Sequence, residues 1–175
     1  MVKKMLLMIT ISLSLLCYAP IANAANNGQI PFPGVPMLRQ NPKLSFGGFL
    51  KAHQPIKIVF SVGASGPQLR ESLMNAALVI RYLKSKGYRY KIHFVLYGKA
   101  VLAADQFNGK YAIWTSLLRA LNKHGVTYSV CHNSIEALHL KSSDIYPFMH
   151  IIPAGILSVT EYEMRGYSVI VNPNS

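Results

Sequence analysis

Cysteine is nearly absent from this chain, since only Cys17 and Cys131 occur among its 175 residues. Cys17 falls within a segment that has the pattern of a secretory signal peptide, so a processed chain would keep Cys131 alone. A single cysteine excludes an intramolecular disulfide, and the fold must therefore rest on its hydrophobic core. In an exported protein an odd cysteine indicates intermolecular pairing or a free reactive thiol. A buried packing residue is the alternative.

Long apolar runs are also lacking, and the one at the amino terminus is short. Lys3 and Lys4 precede an apolar stretch at residues 5–16, and Ala22-Asn-Ala24 forms a small-x-small cleavage motif. These parts together are typical of a signal peptide over residues 1–24. We expect cleavage before Ala25 and a periplasmic product. The run is shorter than the roughly twenty residues of a membrane-spanning helix, so no membrane span is expected.

Acidic residues are scarce, with six Asp and Glu against 18 Lys and Arg and a formal net charge of +12. Loss of Lys3 and Lys4 with the signal peptide would lower this charge to +10. Such an excess favours anionic partners such as small oxyanions, phospholipid headgroups or nucleic acid. The basic residues are scattered, however, with no run of five and no nucleic-acid-binding motif. We therefore expect no nucleic-acid partner and interpret most of the charge as a solvated surface.

Residues 25–55 are rich in proline and glycine and show little apolar periodicity. This composition predicts an amino-terminal arm and not a domain. The arm nevertheless carries many large apolar side chains, which a free polar tail would not have. We predict that it docks along the domain or on a neighbouring subunit. Residues 56–175 are expected to form a single domain.

From residue 56 onward, β-rich apolar runs alternate with helical patterns. The strand-like runs lie at residues 56–62, 90–97, 126–130, 149–152 and 167–171. Apolar side chains recur at three- and four-residue spacing in 67–86 and in 111–124, which predicts two amphipathic helices. Gly87, Gly125 and Gly166 each follow a basic residue, a pattern typical of helix ends before a strand. The repeated units predict an α/β fold, a three-layer α/β/α arrangement with a mainly parallel sheet of about five strands.

Cys131 lies where the third predicted strand meets a helix start. The carboxyl ends of parallel strands are where ligands gather in open α/β sheets. We expect Asn133 or Ser134 to cap the helix, so that backbone amides near the sulfur favour its thiolate form. His132 could assist if protonated. The candidate site is therefore Cys131 as nucleophile, supported by His132, Asn133 and Ser134.

Other kinds of site fit the sequence less well. Cys131 and Ser134 form a C-x-x-S segment like that of thioredoxin-like proteins, but Pro153 follows an apolar run, whereas that fold places a proline directly before a strand. A metal site needs several convergent ligands, and Cys131 has only His132 and His139 nearby, without a recognised spacing. We expect neither a metal nor another cofactor.

Three segments in the carboxyl-terminal half resemble the DsrE/DsrF-like family. They are KHGVTYSVCHNSIEAL at residues 123–138, IPAG at 152–155 and EMRGY at 163–167. The first two strands match more loosely, and the similarity covers roughly residues 55–172. The chain most resembles a branch that often ends its second strand with His-Gly, where this sequence has Tyr97-Gly98. Its export signal suggests an exported branch of the family.

The resemblance implies a compact α/β/α domain and a homo-oligomer, often a trimer or a hexamer. Relatives relay sulfur by holding a persulfide on a cysteine. The leading hypothesis is therefore an exported sulfur carrier of sulfurtransferase type, in which Cys131 accepts sulfur from a donor protein or a small sulfur anion. A non-catalytic oligomeric module that binds a small anion or a protein partner is the alternative. A thiol-disulfide protein is a weaker one, and whether the chain is an enzyme stays open.

Overall fold

A computed structural model describes residues 30–38, 41 and 43–173. The predicted signal peptide and its cleavage site lie outside the described residues. The helices and strands, in chain order, are α1 (Phe49–Ala52), β1 (Ile56–Val62), α2 (Pro67–Ser85), β2 (Tyr90–Leu96), α3 (Thr115–Lys123), β3 (Thr127–Cys131), α4 (His132–Ala137), β4 (His150–Ile152), α5 (Gly155–Met164) and β5 (Ser168–Ile170). Short 3-10 helices occupy Gly98–Ala103, Gly109–Trp114 and Ser142–Asp144. Within this described part, no helix is both long and apolar enough to cross a membrane.

The five strands form one sheet in the order β4-β3-β2-β1-β5, and every neighbouring pair is parallel. Parallel neighbours require a crossover connection, which the intervening helices provide. The predicted α/β fold with a mainly parallel sheet of about five strands is confirmed. In this register Cys131 pairs with Ile152 at the carboxyl ends of β3 and β4.

One face of the sheet carries the main hydrophobic core. Phe60, Phe94 and Tyr128 come from three adjacent strands, and their rings form a continuous row, with centroids 4.7 Å and 5.4 Å apart. Helices α2 and α3 cover this face. The predicted apolar stripe of α2 is confirmed, since its members are all buried: Leu69, Leu73, Ala76, Ala77, Ile80 and Leu83.

The opposite face is more polar and is covered by α5. Because successive side chains of a strand alternate between faces, His93, Ser129 and Cys131 lie opposite the aromatic row. The ring of Tyr162 on α5 stacks on His93 with centroids 4.1 Å apart. Helices thus cover both faces of the sheet, which is the expected three-layer arrangement.

The helix predicted at residues 111–124 is shorter in the structure. Residues Gly109–Trp114 form a 3-10 helix, and α3 begins only at Thr115. A 3-10 helix has three residues per turn instead of 3.6, so the apolar spacing rotates out of phase at its junction with an α-helix. Ile113, an apolar residue of the helix predicted at residues 111–124, is accordingly 70% exposed.

Part of the arm docks on α2, as predicted. Phe32 and Val35 are buried, and the guanidinium of Arg81 donates hydrogen bonds to the backbone oxygens of Ile30, Val35 and Pro36 at 2.7–3.2 Å. Arg81 is itself only 3% exposed, so these carbonyl groups replace the water that a buried guanidinium loses. The arm therefore extends the layer formed by α2 and α3.

Candidate functional site

Cys131 is the last residue of β3 and lies at the carboxyl edge of the sheet. Its side chain is 5% exposed, and α4 begins at the next residue. The first residue of α5, Gly155, approaches it from the other side. The sulfur therefore lies in a narrow space between the starts of two helices, where backbone N–H groups have no partner within their own helix.

Four donor groups near the sulfur of Cys131 stabilise its thiolate form. They are the hydroxyl of Ser134 and the backbone N–H groups of Gly155, Ser134 and Asn133. Burial by itself raises the pKa of the Cys131 thiol, but the four donors outweigh it, so the pKa lies below the ordinary value of a cysteine. A lowered pKa increases the fraction of thiolate, which is the nucleophilic form.

The hydroxyl of Ser134 is oriented by a second contact. The backbone N–H of Gly98 donates to Ser134 Oγ over 2.8 Å. Because that oxygen already accepts a hydrogen bond from Gly98, its own proton is free to point at Cys131. Gly98 begins the 3-10 helix that follows β2, so two adjacent strand ends cooperate in building the site.

The expectation that Asn133 or Ser134 caps α4 is wrong. The capping position is occupied by Cys131, and no side chain forms a capping hydrogen bond there. The strand runs into the helix without an intervening residue, which places Asn133 and Ser134 inside the first turn. Their backbone amides still lie near the sulfur. The amide donors expected near Cys131 are therefore present, although no side chain caps the helix.

The other two candidate residues contribute less through their side chains. His132 lies on the exposed side of α4, where its Nε2 is 3.6 Å from Glu136 Oε1. The side chain of Asn133 is also exposed, and its backbone N–H lies 3.4 Å from the oxygen of Pro153 as well as near the sulfur. The structure therefore brings together Cys131, Ser134 and backbone groups, while the imidazole of His132 is paired with Glu136.

Tyr97 is part of the site, although sequence reasoning did not select it. A Cβ at Gly155 would lie 2.6 Å from Tyr97 Cβ and 3.3 Å from Cys131 Cβ, and a Cβ at Gly63 would lie 2.7 Å from the Tyr97 ring. Only glycine leaves room for such an approach. The phenol oxygen lies 3.2 Å from Ser61 Oγ, which anchors the ring. A glycine follows closely after β1, β2 and β4, whose carboxyl ends lie at one edge of the sheet. This repeated glycine is the sequence signal that could have identified Tyr97.

A buried histidine lies on the same face of the sheet, deeper than Cys131. His93 Nδ1 is 2.6 Å from Thr127 Oγ1, and its Nε2 is 2.9 Å from Ser129 Oγ. Burial, together with the charge of nearby His150, lowers the pKa of His93 to about 4. The ring is therefore neutral near pH 7, with one nitrogen donating and the other accepting.

Metal ligands do not converge in the part of the chain that the structure describes, since no group of three His, Cys, Asp or Glu side chains there is arranged to hold an ion. His132 and His139, which both follow Cys131 in the sequence, are exposed. The site's chemistry rests on the sulfur and its hydrogen-bond donors.

Comparisons with known proteins agree with this fold. The profile of the DsrE/DsrF-like family matches residues 54–171. Among solved structures, a protein of unknown function from Methanobacterium thermoautotrophicum, MTH1491, has a similar fold, with a TM-score of 0.56, 16% identity, and coverage of 66% of this chain and 97% of its own. No curated protein sequence matches significantly. Because the family profile spans most of the chain, from before β1 to the end of β5, the protein belongs to the DsrE/DsrF-like family.

Proposed function

We propose that this protein is an exported sulfur carrier in which Cys131 accepts sulfane sulfur as a persulfide and passes it on. The observation that carries the proposal is the set of four donors around the Cys131 sulfur, which lowers the pKa of the thiol in spite of its burial. The DsrE/DsrF-like family is associated with sulfur relay, which supports the same chemistry.

The proposed step is a nucleophilic displacement on sulfur. The Cys131 thiolate attacks the outer sulfur of a donor such as thiosulfate, a new S–S bond forms, and the original S–S bond breaks. Sulfite leaves with the electron pair, so no external oxidant or reductant is needed. The product is a cysteine persulfide anion, and donors placed around the thiolate are also placed to stabilise that charge.

The enclosure of the sulfur bears on the choice of donor. Cys131 is 5% exposed, and Tyr97 and Gly155 are packed closely beside it. A small sulfur anion fits such a space with less rearrangement than a protein-bound persulfide. The excess of basic residues in the chain would also attract an anionic donor. A donor or acceptor protein would need α5 or the segment after β2 to move.

Self-association is a second part of the proposal. Ile156, Leu157 and Met164 on α5, and Val171 after β5, are exposed large apolar side chains. A contact between subunits would remove them from water. We propose a homo-oligomer, a trimer or a hexamer, in the periplasm after removal of residues 1–24.

Mass spectrometry of the purified protein after exposure to thiosulfate or polysulfide tests the carrier function. We expect a gain of about 32 Da, one sulfur atom, on the peptide that contains Cys131. Reduction with dithiothreitol should remove it. The variant Cys131→Ser should not be loaded, whereas Ser143→Ala, a substitution at an exposed position, should be loaded like the natural protein.

An unmodified Cys131 peptide after both donors, in protein whose thiol still reacts after unfolding, would contradict the carrier function. The chain would then fit better with a non-catalytic module that binds a small anion or a protein partner. A disulfide with a second protein, in place of a persulfide, would instead favour thiol-disulfide chemistry.

A further inference from the structure

A shallow, open cleft lies far from Cys131. It has a volume of about 510 Å³ and lies between α3 and the segment that precedes β4, lined by Arg119, Asn122, Lys123, Pro147 and Phe148. Small-molecule sites commonly have volumes of roughly 300–1,000 Å³. The cleft is therefore large enough for a compact organic ligand.

The cleft and the Cys131 site lie at opposite ends of the sheet. Lys123 is the last residue of α3 and precedes β3, while Cys131 is the last residue of β3. Phe148 contacts the ring of Tyr128, which belongs to the face covered by α2 and α3. Cys131 belongs to the face covered by α5. A ligand in the cleft would not contact the sulfur, and the site is independent of the proposed sulfur chemistry.

Arg119 is held in a fixed orientation at the cleft. Its guanidinium carbon lies 5.2 Å from the ring centroid of Tyr146 and 5.5 Å from that of Phe148. Both rings are themselves held, since Tyr146 stacks on Phe148 and its hydroxyl lies 2.6 Å from Thr115 Oγ1. A guanidinium over aromatic rings loses little further freedom when it binds a ligand. These contacts therefore favour one orientation of the Arg119 guanidinium at the cleft.

The positive charge of this wall has no acidic partner in the described part of the chain. Arg119 and Lys123 are one helical turn apart, so both can reach the same group. Among the described residues, the contacts found between acidic and basic side chains are those of Glu136 with His132 and of Glu161 with Arg165, and neither involves the cleft. An anion placed between Arg119 and Lys123 would supply the missing charge.

We propose that this cleft binds a small anion that carries a planar apolar group, such as an aromatic phosphate or carboxylate. The apolar group of the ligand packs against Pro147 and the part of Phe148 that Tyr146 and Arg119 leave open, and its anionic group accepts hydrogen bonds from Arg119 and Lys123. Guanidinium groups recognise carboxylate and phosphate through paired donors, which favours an anion with two or more oxygens. The side-chain amide of Asn122 donates to the backbone oxygen of Val126 and is therefore engaged within the chain.

Calorimetric titration of the purified protein with 1-naphthyl phosphate tests this proposal. We expect saturable binding of one molecule per chain that weakens with rising salt. Inorganic phosphate, which lacks the ring, and 1-naphthol, which lacks the charge, should each bind at least about tenfold more weakly. Loss of one charged hydrogen-bond donor in Arg119→Gln should weaken binding about tenfold.

Two further variants serve as controls. Arg119→Lys keeps the charge but loses the planar donor pair, so an intermediate affinity is expected. Arg70→Gln removes the same charge from an exposed position on α2 and should leave the affinity unchanged. Equal affinities for the natural protein and Arg119→Gln, equal losses in Arg119→Gln and Arg70→Gln, or binding of 1-naphthol as tight as that of the phosphate would each overturn the proposal.

Discussion

Cys131 combines burial with stabilisation of its charged form, and these two effects oppose each other. Burial disfavours the thiolate, while the hydroxyl of Ser134 and three backbone amides favour it, and the donors prevail. The backbone amides belong to the starts of α4 and α5 and stay in place as long as the fold does. Ser134 is the one side chain among the donors, so it is the part of the environment that a substitution can remove.

Replacing Ser134 with Ala should raise the pKa of Cys131, because the thiolate loses its side-chain donor. The pH midpoint of iodoacetamide labelling, measured on the native protein, should lie below the ordinary value for a free cysteine and move upward in the variant. Ser143→Ala provides a matched control, since Ser143 is exposed and far from the sulfur in sequence. A midpoint identical in all three proteins would exclude the role assigned to Ser134.

His93 makes the stability of the fold depend on pH. Its pKa is lowered from 6.5 to about 4 in the folded protein, so the unfolded chain takes up a proton first as the pH falls. The stabilisation is fully present above pH 6.5 and is lost progressively as the pH falls toward 4. The difference between the two pKa values, 6.5 and about 4, corresponds to about 3 kcal/mol in the free energy of unfolding.

Urea unfolding at a series of pH values between 7 and 4 checks this effect. His93→Gln should flatten the decline in stability over that interval, whatever its effect at pH 7. The exposed residue His139 offers a comparison, and His139→Gln should keep the decline of the natural protein. An equally steep decline in His93→Gln would show that other groups cause the acid sensitivity.

At the scale of the secondary-structure elements, the site depends on how closely α5 approaches the strand ends. Gly155 lets the first turn of α5 contact both Tyr97 and Cys131. Its N–H is also one of the donors that lower the pKa of the thiol. Gly155 therefore determines how closely α5 packs on the strand ends, and its N–H also stabilises the Cys131 thiolate.

Gly155→Ala should destabilise the fold by about 1–3 kcal/mol, because a Cβ would overlap Tyr97 and α5 would have to shift. The same shift should weaken the hydrogen bond from residue 155 to the sulfur and alter the labelling rate of Cys131. Gly109→Ala is the matched control, because a Cβ there meets no atom within 4 Å. Equal urea midpoints and equal labelling rates for the two variants would refute the close-packed arrangement.

The docked arm is another feature at this scale. Residues 30–36 join the domain through Phe32, Val35 and the three hydrogen bonds of Arg81, while Leu44, Phe46 and Phe49 remain exposed. Phe46 does lie against Tyr82 edge-on, with centroids 5.6 Å apart. The apolar content of residues 25–55 thus serves partly to attach the arm, and the exposed remainder adds to the apolar surface open to a second subunit.

For the whole molecule, the proposed export would decide the chemical setting of the thiol. In the periplasm an idle exposed thiol tends to be oxidised, whereas the enclosure of Cys131 limits access to it. The pattern of residues 1–24 predicts that the mature protein starts at Ala25. Amino-terminal sequencing of protein recovered from the periplasmic fraction should give Ala-Asn-Asn-Gly as its first four residues. Mature protein that still contains Lys3 and Lys4 would contradict both the processing and the proposed location.

Much of the fold follows from the sequence, because its signals are local and mutually consistent. The five β-rich runs, the stripe of α2 and the glycines after the helices each predict an element, and parallel pairing follows from their alternation. The junction at Thr115 was missed because 3-10 and α-helical spacing are indistinguishable over a few apolar residues. Strand order also could not be predicted, since right-handed crossovers permit several orders of the same five strands.

The sequence by itself determined the family and the position of Cys131 at the end of a strand, and it predicts an export signal. Only the tertiary structure decided what surrounds the sulfur, because Ser134, Gly155 and Tyr97 come from different segments and meet where β2, β3 and α5 converge. Hydrogen bonds to a thiolate depend on distances of a few ångströms between such segments, and no local pattern encodes those distances. For the same reason His93, whose contacts come from a neighbouring strand and from α5, shows its lowered pKa only in the folded chain.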